Sequence, residues 1–273
     1  MRFSQKVIWI TGASSGIGEA LAYAFYKEGA NLILSARNEL ALVKISENCG
    51  DAQRVKILPL DLSQTNMLQS RVITALEHYG KIDILINNAG IAQNYQVINT
   101  NEEVIRKIME VNFFGTVLLS NLLIPLFIQS GGGHLVIISS LSGKFGVPKL
   151  SSYSASKHAL HGYFNSMRTE VHQKNIRITI LVPGYIKTSI AQNALVGDGR
   201  ISGRNLEIMK RGMDPEKCAI EMVNAIYKKK EEDYIGNKEI LSVYFYRFFP
   251  KLFNKVIRNH PVKRLRKILK GSK

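Results

Sequence analysis

Within the run ISSLSGKFGVPKLSSYSASKHAL, residues 138 to 160, Ser140 precedes Tyr153 by thirteen positions and Lys157 follows it by four. The four-residue step is one helical turn, so on a helix the tyrosine and the lysine project from the same face. A fixed ammonium beside a phenol favours the phenolate and is expected to lower the Tyr153 pKa from about 10 toward the range of a proton-transfer group. Ser140 ends the apolar run HLVIIS, which reads as a strand buried on both faces, so its hydroxyl emerges at the carboxyl edge of a sheet. The three side chains can then meet over one carbonyl group. A tyrosine and a lysine at this spacing are also an ordinary solvated pair, and the rest of the chain decides between the two.

The elements that would hold such a group begin with KVIWI (residues 6 to 10), a short apolar strand followed without a gap by TGASSGIG and a periodic helix, EALAYAFYKEG. Gly12, Gly16 and Gly18 let the backbone turn tightly and approach a pyrophosphate, which the amides and the positive end of the helix would meet. Ser14 and Ser15 add hydroxyl donors, and Ile17 lies in the same turn. The second strand, NLILS (31 to 35), runs into Ala36-Arg37 where an acid would bind ribose hydroxyls. An arginine there can clamp a 2′-phosphate, so NADP(H) is expected in preference to NAD(H).

The third strand, VKILPL, ends at Asp61-Leu62, expected to meet the adenine amino group and ring face, with a helix N-cap as the competing role for Asp61 or Ser63. The fourth, DILINNAG (83 to 90), runs into Asn87-Asn88-Ala89-Gly90, where amides tie neighbouring backbone and small residues leave room for a ribose. Asn87 reads as mainly structural. A helix from about Glu102 to Gln129 carries Asn112 among apolar residues, where an amide needs a partner and is expected to hold a water on a proton path. The Tyr153 helix and IRITILVPGYIKT, whose strand ends at Pro183-Gly184, complete the pattern. Seven strands with intervening helices predict an α/β class, single-domain Rossmann fold: a doubly wound, parallel seven-stranded sheet with helices on both faces.

The 273 residues suit one such domain, 1–239, with a basic aromatic C-terminal extension at 240–273. Between Thr188 and Asp214 no core period is visible, and Gly197, Gly199, Gly203 and Gly212 suggest a flexible substrate lid at about 188–213. Asp214-Pro215 reads as N-cap and first position of a helix reaching Lys228, and GNKEILSVYF is expected to include the final strand. Cys49 and Cys218 are too few for a disulfide framework and lack metal-ligand spacing, so a reducing compartment and no metal are expected. Neither a cleavable signal nor a membrane-spanning run of about eighteen apolar residues is expected, which implies a cytoplasmic location.

Of the formal charge of +16, fourteen Lys/Arg against four acids from Lys228 to Lys273 account for +10. Basicity confined to the tail argues against a nucleic-acid binder, where a basic stripe built into the fold is expected. From Ile240 onward there are ten Lys/Arg and no acid, interleaved with aromatic residues. That segment is expected either to lie on an anionic membrane surface or to pack on its own core or a partner subunit.

TGASSGIG, NNAG, Asn112, Ser140, Tyr153-Ser154-Ala155-Ser156-Lys157 and Pro183-Gly184 stand in the order and spacing of the short-chain dehydrogenase/reductase family, and the sequence resembles its classical branch from residue 6 to about 190. VPGYIKTSIAQNALVGDGR looks most like the animal dehydrogenase/reductase member 7B and 7C group, and the Ala-Arg pair also resembles 11β-hydroxysteroid dehydrogenases. The resemblance implies hydride transfer, a homodimer or homotetramer, and roles for the residues. Tyr153 would be the general acid or base, and Lys157 would lower its pKa and hold the nicotinamide ribose. Ser140 would stabilise the reacting oxygen, and Asn112 would hold the water that links Lys157 to solvent. Thr188 would contact the carboxamide, with Ile186 assisting through its backbone. The expected activity is NADP(H)-dependent interconversion of a lipophilic ketone, of steroid, retinoid or lipid type, with its secondary alcohol. A catalytically silent NADP-sensing or membrane- or partner-binding protein is the alternative, against which the complete catalytic set argues.

Overall fold

The central strands of this chain are apolar on both faces, and each face finds its own layer of helices. The computed structural model describes residues 1–204 and 207–258. The strands are β1 (Val7–Thr11), β2 (Asn31–Ser35), β3 (Val55–Ile57), β4 (Ile84–Asn87), β5 (Gly133–Ile138), β6 (Ile176–Pro183) and β7 (Glu232–Ile235). They form one sheet in the order β3-β2-β1-β4-β5-β6-β7, every pair parallel. Between them run α1 (Gly16–Lys27), α2 (Glu39–Cys49), α3 (Leu68–Tyr79), α4 (Glu102–Met109), α5 (Gly115–Gln129), α6 (Ser151–Val171), the short α7 (Glu207–Lys210) and α8 (Pro215–Tyr227). Two more helices follow, α9 (Leu241–Phe248) and α10 (Pro250–Arg258).

Alternation along β1 sorts the core. Ile8 and Ile10 join Leu32 and Leu34 under Leu21 and Phe25 of α1, Leu42 of α2 and Met222 of α8. Val7 and Trp9 join Ile33 on the opposite face, under Val72 of α3, Leu123 and Phe127 of α5, and Phe164 of α6. This is the period-two pattern of a sheet buried on both sides. The order of strands reverses between β1 and β4, so a crevice opens beyond their carboxyl ends, where ligands bind in sheets of this topology.

α4 and α5 are one continuous helix interrupted by a π turn at Glu110–Phe114. Among the described residues this 102–129 helix is the one long and apolar enough, by length and composition, to cross a membrane, an amendment to the sequence expectation. Polar Asn112, Thr116 and Ser120 break its apolar run, and in the fold they are buried with Val117, Leu119 and Leu123 against the domain.

Four local expectations need correction. β1 begins at Val7, one residue later than KVIWI suggested. β3 stops at Ile57 because Pro59, lacking an N–H, cannot continue the ladder, although Leu58 N still donates to Leu34 O and Leu60 N to Ala36 O. The final strand lies ahead of GNKEILSVYF: the chain leaves the sheet at Gly236, Glu239 Oε1 accepts from Asn237 N at 3.1 Å, and a 3-10 turn at Lys238–Ile240 leads into α9. Asp214 occupies the N-cap position of α8, but its carboxylate accepts from Lys187 Nζ at 2.8 Å instead of from the first turn.

The segment expected as a lid is strapped to the loop after β4. Leu195 N donates to Ala92 O, Asn94 N to Leu195 O and Asn101 N to Gly197 O, and Ala194 and Leu195 are buried. In the C-terminal extension Val243 and Phe253 are buried on the domain; positions 259–273 lie outside the described residues.

Candidate active site

The carboxyl ends of β1, β4, β5 and β6 bring the sequence motifs together. Gly12 (φ +64°) and Gly16 (φ +58°) adopt the left-handed conformation that the turn after β1 requires. A Cβ on Gly12 would lie 2.7 Å from Ala89 Cα, and one on Gly18 would strike the Gly12 carbonyl, so the turn closes directly on the Asn-Asn-Ala-Gly segment. Asn88 Nδ2 fixes it by donating to Thr11 O and Gly12 O, both at 3.0 Å. Thr11 Oγ1, which sequence reasoning passed over, donates to Ile86 O and accepts from the amides of Asn88 and Ala89. Asn87 Nδ2 donates to Ser120 Oγ at 3.0 Å, the structural role expected of it.

Ser15 stands at the N-cap of α1 with no side-chain cap, and Ser14 is half-buried beside it, so the first amides of the helix remain available. Gly16 and Thr188 line a cavity of about 600 Å³ that also meets Tyr23, Lys187, Gln192 and Lys210. Available amides at a helix start, opening on a cavity floored by glycine, fit a dinucleotide pyrophosphate. Ile17 packs against the core beneath. Pro183 and Gly184 end β6, with Gly184 N donating to Ile235 O at 2.8 Å, and Ile186 is buried and paired with Met213. Glu239 was missed: its Oε1 accepts from Tyr185 N at 3.0 Å and fixes the backbone just past this turn.

A second pocket, about 300 Å³, is lined by Arg37, Asp61, Gln64, Met67 and Arg71. Arg71 reads in sequence as an ordinary helix-surface cation, and only the fold of α3 brings it opposite Arg37. Asp61 turns inward on its own loop, accepting from Ser63 N at 2.9 Å and Ser63 Oγ at 2.7 Å. Leu62 is buried, and its backbone presses so closely on Gly115 that no Cβ fits there.

The candidate catalytic residues converge on α6. Ser140, two residues beyond the end of β5, accepts from Ser142 N at 3.2 Å and lies close enough to Tyr153 to favour its phenolate. Lys157 is buried one turn beyond, its Nζ donating to Ile138 O at 2.8 Å and lying 5.8 Å from the Tyr153 ring centre. Burial pushes the Tyr153 phenol above its usual range, opposed by the Ser140 hydrogen bond, and burial brings Lys157 down to about 8. The expected lowering of Tyr153 by Lys157 therefore needs correction: desolvation outweighs it while the ammonium is engaged by a carbonyl.

Asn112 sits on the π turn, which re-aims it out of the α-helical row. Its Oδ1 accepts from Ile91 N at 2.8 Å, and its Nδ2 donates to Ile91 O at 2.9 Å and Ser156 Oγ at 3.0 Å. A Cβ on Gly90 would lie 3.3 Å from Asn112 Oδ1 and 3.6 Å from Lys157 Nζ, so these three residues share one corner.

Behind Ser140 lies a buried polar cluster with no sequence signal of its own. Ser139 Oγ is 2.9 Å from His161 Nε2, and His161 Nδ1 is 3.4 Å from Glu232 Oε2. Glu232 also accepts from Lys144 Nζ at 2.6 Å and from the Tyr234 hydroxyl. Burial would push the Glu232 carboxyl up, but these hydrogen bonds together hold it at about 2.

Comparison with known proteins fits this geometry. A family model described as short chain dehydrogenase matches residues 6–197. A Drosophila melanogaster dehydrogenase/reductase SDR family protein 7-like is 38% identical over 264 residues, covering 94% of this chain and 81% of that protein. The dehydrogenase/reductase SDR family member 7B of Danio rerio is 35% identical, covering 92% and 84%. A short-chain dehydrogenase from Streptomyces avermitilis superposes with a TM-score of 0.79 at 27% identity over 100% of both chains. A Burkholderia phymatum short chain dehydrogenase/reductase, solved in complex with NAD, reaches 0.81 at 22% identity over 92% and 96%, a likeness of fold alone.

Proposed function

The chain belongs to the short-chain dehydrogenase/reductase family, and from that premise we propose that it is an NADP(H)-dependent oxidoreductase interconverting a lipophilic carbonyl compound and its secondary alcohol. The observation that carries the chemistry is the convergence of Ser140, at the carboxyl end of the sheet, with Tyr153 and with Lys157 buried one turn away, its Nζ 5.8 Å from the Tyr153 ring centre. A bound nicotinamide cofactor would supply the hydride in reduction or accept it in oxidation. Tyr153 passes a proton to the carbonyl oxygen during reduction and takes one from the alcohol during oxidation. Ser140 donates a hydrogen bond to the oxygen on which charge develops. Lys157, buried one turn from Tyr153, would hold the nicotinamide ribose. Asn112, with one Oδ1 lone pair not used by the bonds to Ile91 and Ser156, holds the water through which Lys157 exchanges protons with solvent.

Gly12, Ser14, Ser15, Gly16, Ile17 and Gly18 form the pyrophosphate turn, and Asn88, Ala89 and Gly90 leave space for the ribose. Pro183, Gly184, Ile186 and Thr188 face the nicotinamide end, and the segment after Thr188, strapped at Leu195 and Gly197 to the loop after β4, borders it. The preference for NADP(H) is supported by Arg37 and Arg71 lining one pocket after β2, where two guanidiniums can clamp a phosphate. We place the protein in a reducing compartment, the cytoplasm, since Cys49 and Cys218 are both free and buried. A homodimer or homotetramer is proposed through the outer face of the π turn and α5, where Phe114, Leu118 and Ile128 are exposed.

The test is NADPH and NADH consumption by purified protein with steroid, retinoid and fatty-ketone substrates, beside Tyr153→Phe. Turnover that disappears in the variant supports the reading. Tight NADPH binding with no turnover of any carbonyl favours a cofactor-sensing protein instead.

A further inference from the structure

α9 and α10 carry more apolar surface than the domain covers. On α10 the apolar residues Leu252, Phe253, Val256 and Ile257 share one side of the helix. Phe253 is buried, with ring centres 4.8 Å from Phe145, 5.2 Å from Tyr246 and 5.7 Å from Phe245, and Ile257 packs on the same core. Leu252 and Val256 are 52% and 53% exposed. On α9, Val243 is buried while Leu241, Tyr244 and Phe248, at positions i, i+3 and i+7, point outward; Phe248 is 68% exposed. Phe249, at the junction of the two helices, is 60% exposed. Two adjoining short helices thus anchor through one apolar row each and leave a second row uncovered.

The charge on the segment that carries that row is of one sign. Residues 240–273 hold ten Lys/Arg and no Asp or Glu, with Arg247, Lys251, Lys255 and Arg258 on the two helices themselves. A second copy of the chain would bring two such cationic segments together, which like-charge repulsion opposes. A nucleic acid could stack on Phe248 and Phe249 but would leave Leu241, Leu252 and Val256 without a role. Aliphatic and aromatic side chains ringed by cations match the interface of an anionic bilayer, which accepts both.

We propose that α9 and α10 form a docking surface for an anionic lipid bilayer. The anchor of α10, Phe145, lies five residues beyond Ser140 on the segment leading to Tyr153, so the docked face adjoins the loop that borders the candidate site. Docking there brings the substrate side of the enzyme to a phase in which lipophilic carbonyl compounds dissolve; this consequence rests on the function proposed above, whereas the docking does not.

The experiment sediments the full chain with vesicles of phosphatidylcholine alone and with about a third phosphatidylserine, at low and high salt. It compares Phe248→Ser/Phe249→Ser/Leu252→Ser and, separately, Arg247→Gln/Lys251→Gln. NADPH-dependent reduction of a water-soluble carbonyl in vesicle-free buffer is read alongside. We expect binding to the anionic vesicles, at least tenfold weaker with the apolar variant and several-fold weaker with the charge variant or in high salt. Reduction in buffer is expected to stay unchanged in both variants. Equal binding by all three proteins, or equal binding to neutral and anionic vesicles, overturns the proposal. So does a dimer in sedimentation velocity that the apolar variant converts to monomer while vesicle binding is unaffected. Vesicle binding that follows the expected pattern in a protein that reduces no carbonyl supports the docking surface and removes the reductase reading.

Discussion

Glu232, on the last strand of the sheet, accepts a 2.6 Å hydrogen bond from Lys144 on the turn that follows Ser140. The same carboxylate faces His161, whose other ring nitrogen meets Ser139 at 2.9 Å. One acid therefore braces the residues on both sides of Ser140 without touching it. Glu232→Gln, which keeps the shape but removes the charge, is expected to lower kcat about tenfold by letting the Ser140 hydroxyl wander. The KM for cofactor should stay constant, since Gly16, Arg37 and Thr188 lie elsewhere. Steady-state kinetics, normalised to the folded fraction, separates these outcomes; a parallel change in both parameters would contradict a positioning role.

Ser140→Ala removes the hydrogen bond that opposes the upward push of burial on Tyr153. The phenolate becomes harder to form, so in the oxidation direction, where it is the active base, the ascending limb of the pH–rate profile moves to higher pH. The maximal rate should fall about a hundredfold through loss of the donor to the reacting oxygen. A profile that keeps its limb in place would remove Ser140 as the partner that tunes Tyr153.

Arg37→Ala should raise the KM for NADPH by roughly tenfold or more while leaving that for NADH within about twofold, because only NADPH carries the 2′-phosphate. Arg71→Ala is expected to act in the same direction but less strongly, since its side chain reaches the pocket from the neighbouring helix. Equal losses with both cofactors would place these arginines outside the phosphate site.

What could be read from sequence was whatever local spacing determines. The glycine turn after β1 and the four-residue step from Tyr153 to Lys157 fix backbone shape and helix face within a few residues, so the folded chain places them as expected. Partners that meet only across the fold were illegible: 88 residues separate Lys144 from Glu232, and Arg71 looks solvent-facing until α3 packs beside β2. The reading of GNKEILSVYF as a strand failed for a related reason. Its β-branched and aromatic composition suits a strand, but Glu239 binds the amides of Tyr185 and Asn237 and turns the chain out of the sheet at Gly236. The pKa of Tyr153 was misjudged because spacing reveals the neighbouring charge but not the burial that opposes it.

Acid should destabilise the fold in two separable stages. His134 Nε2 lies 2.8 Å from Thr179 Oγ1, whose hydroxyl donates to Lys230 O, so the imidazole Nε2 is the N–H donor. Burial, reinforced by the positive charges of Lys229 and Arg177, brings it to about 4, below the unfolded value of 6.5. With the folded pKa the lower one, its contribution is intact above pH 6.5 and is lost as pH falls from 6.5 toward 4, amounting to about 3 kcal/mol at most. His161, also lowered by burial, acts in the same direction. Glu232 adds a later stage: its contribution is present above the unfolded value of 4.5 and is lost as pH falls through 4.5 toward about 2. Urea unfolding at a series of pH values from 7.5 to 3.5 should show His134→Gln flattening the slope between pH 6.5 and 4. Glu232→Gln, by contrast, should alter the slope below pH 4.5. An unchanged slope in His134→Gln would mean that the histidine is protonated in the folded protein.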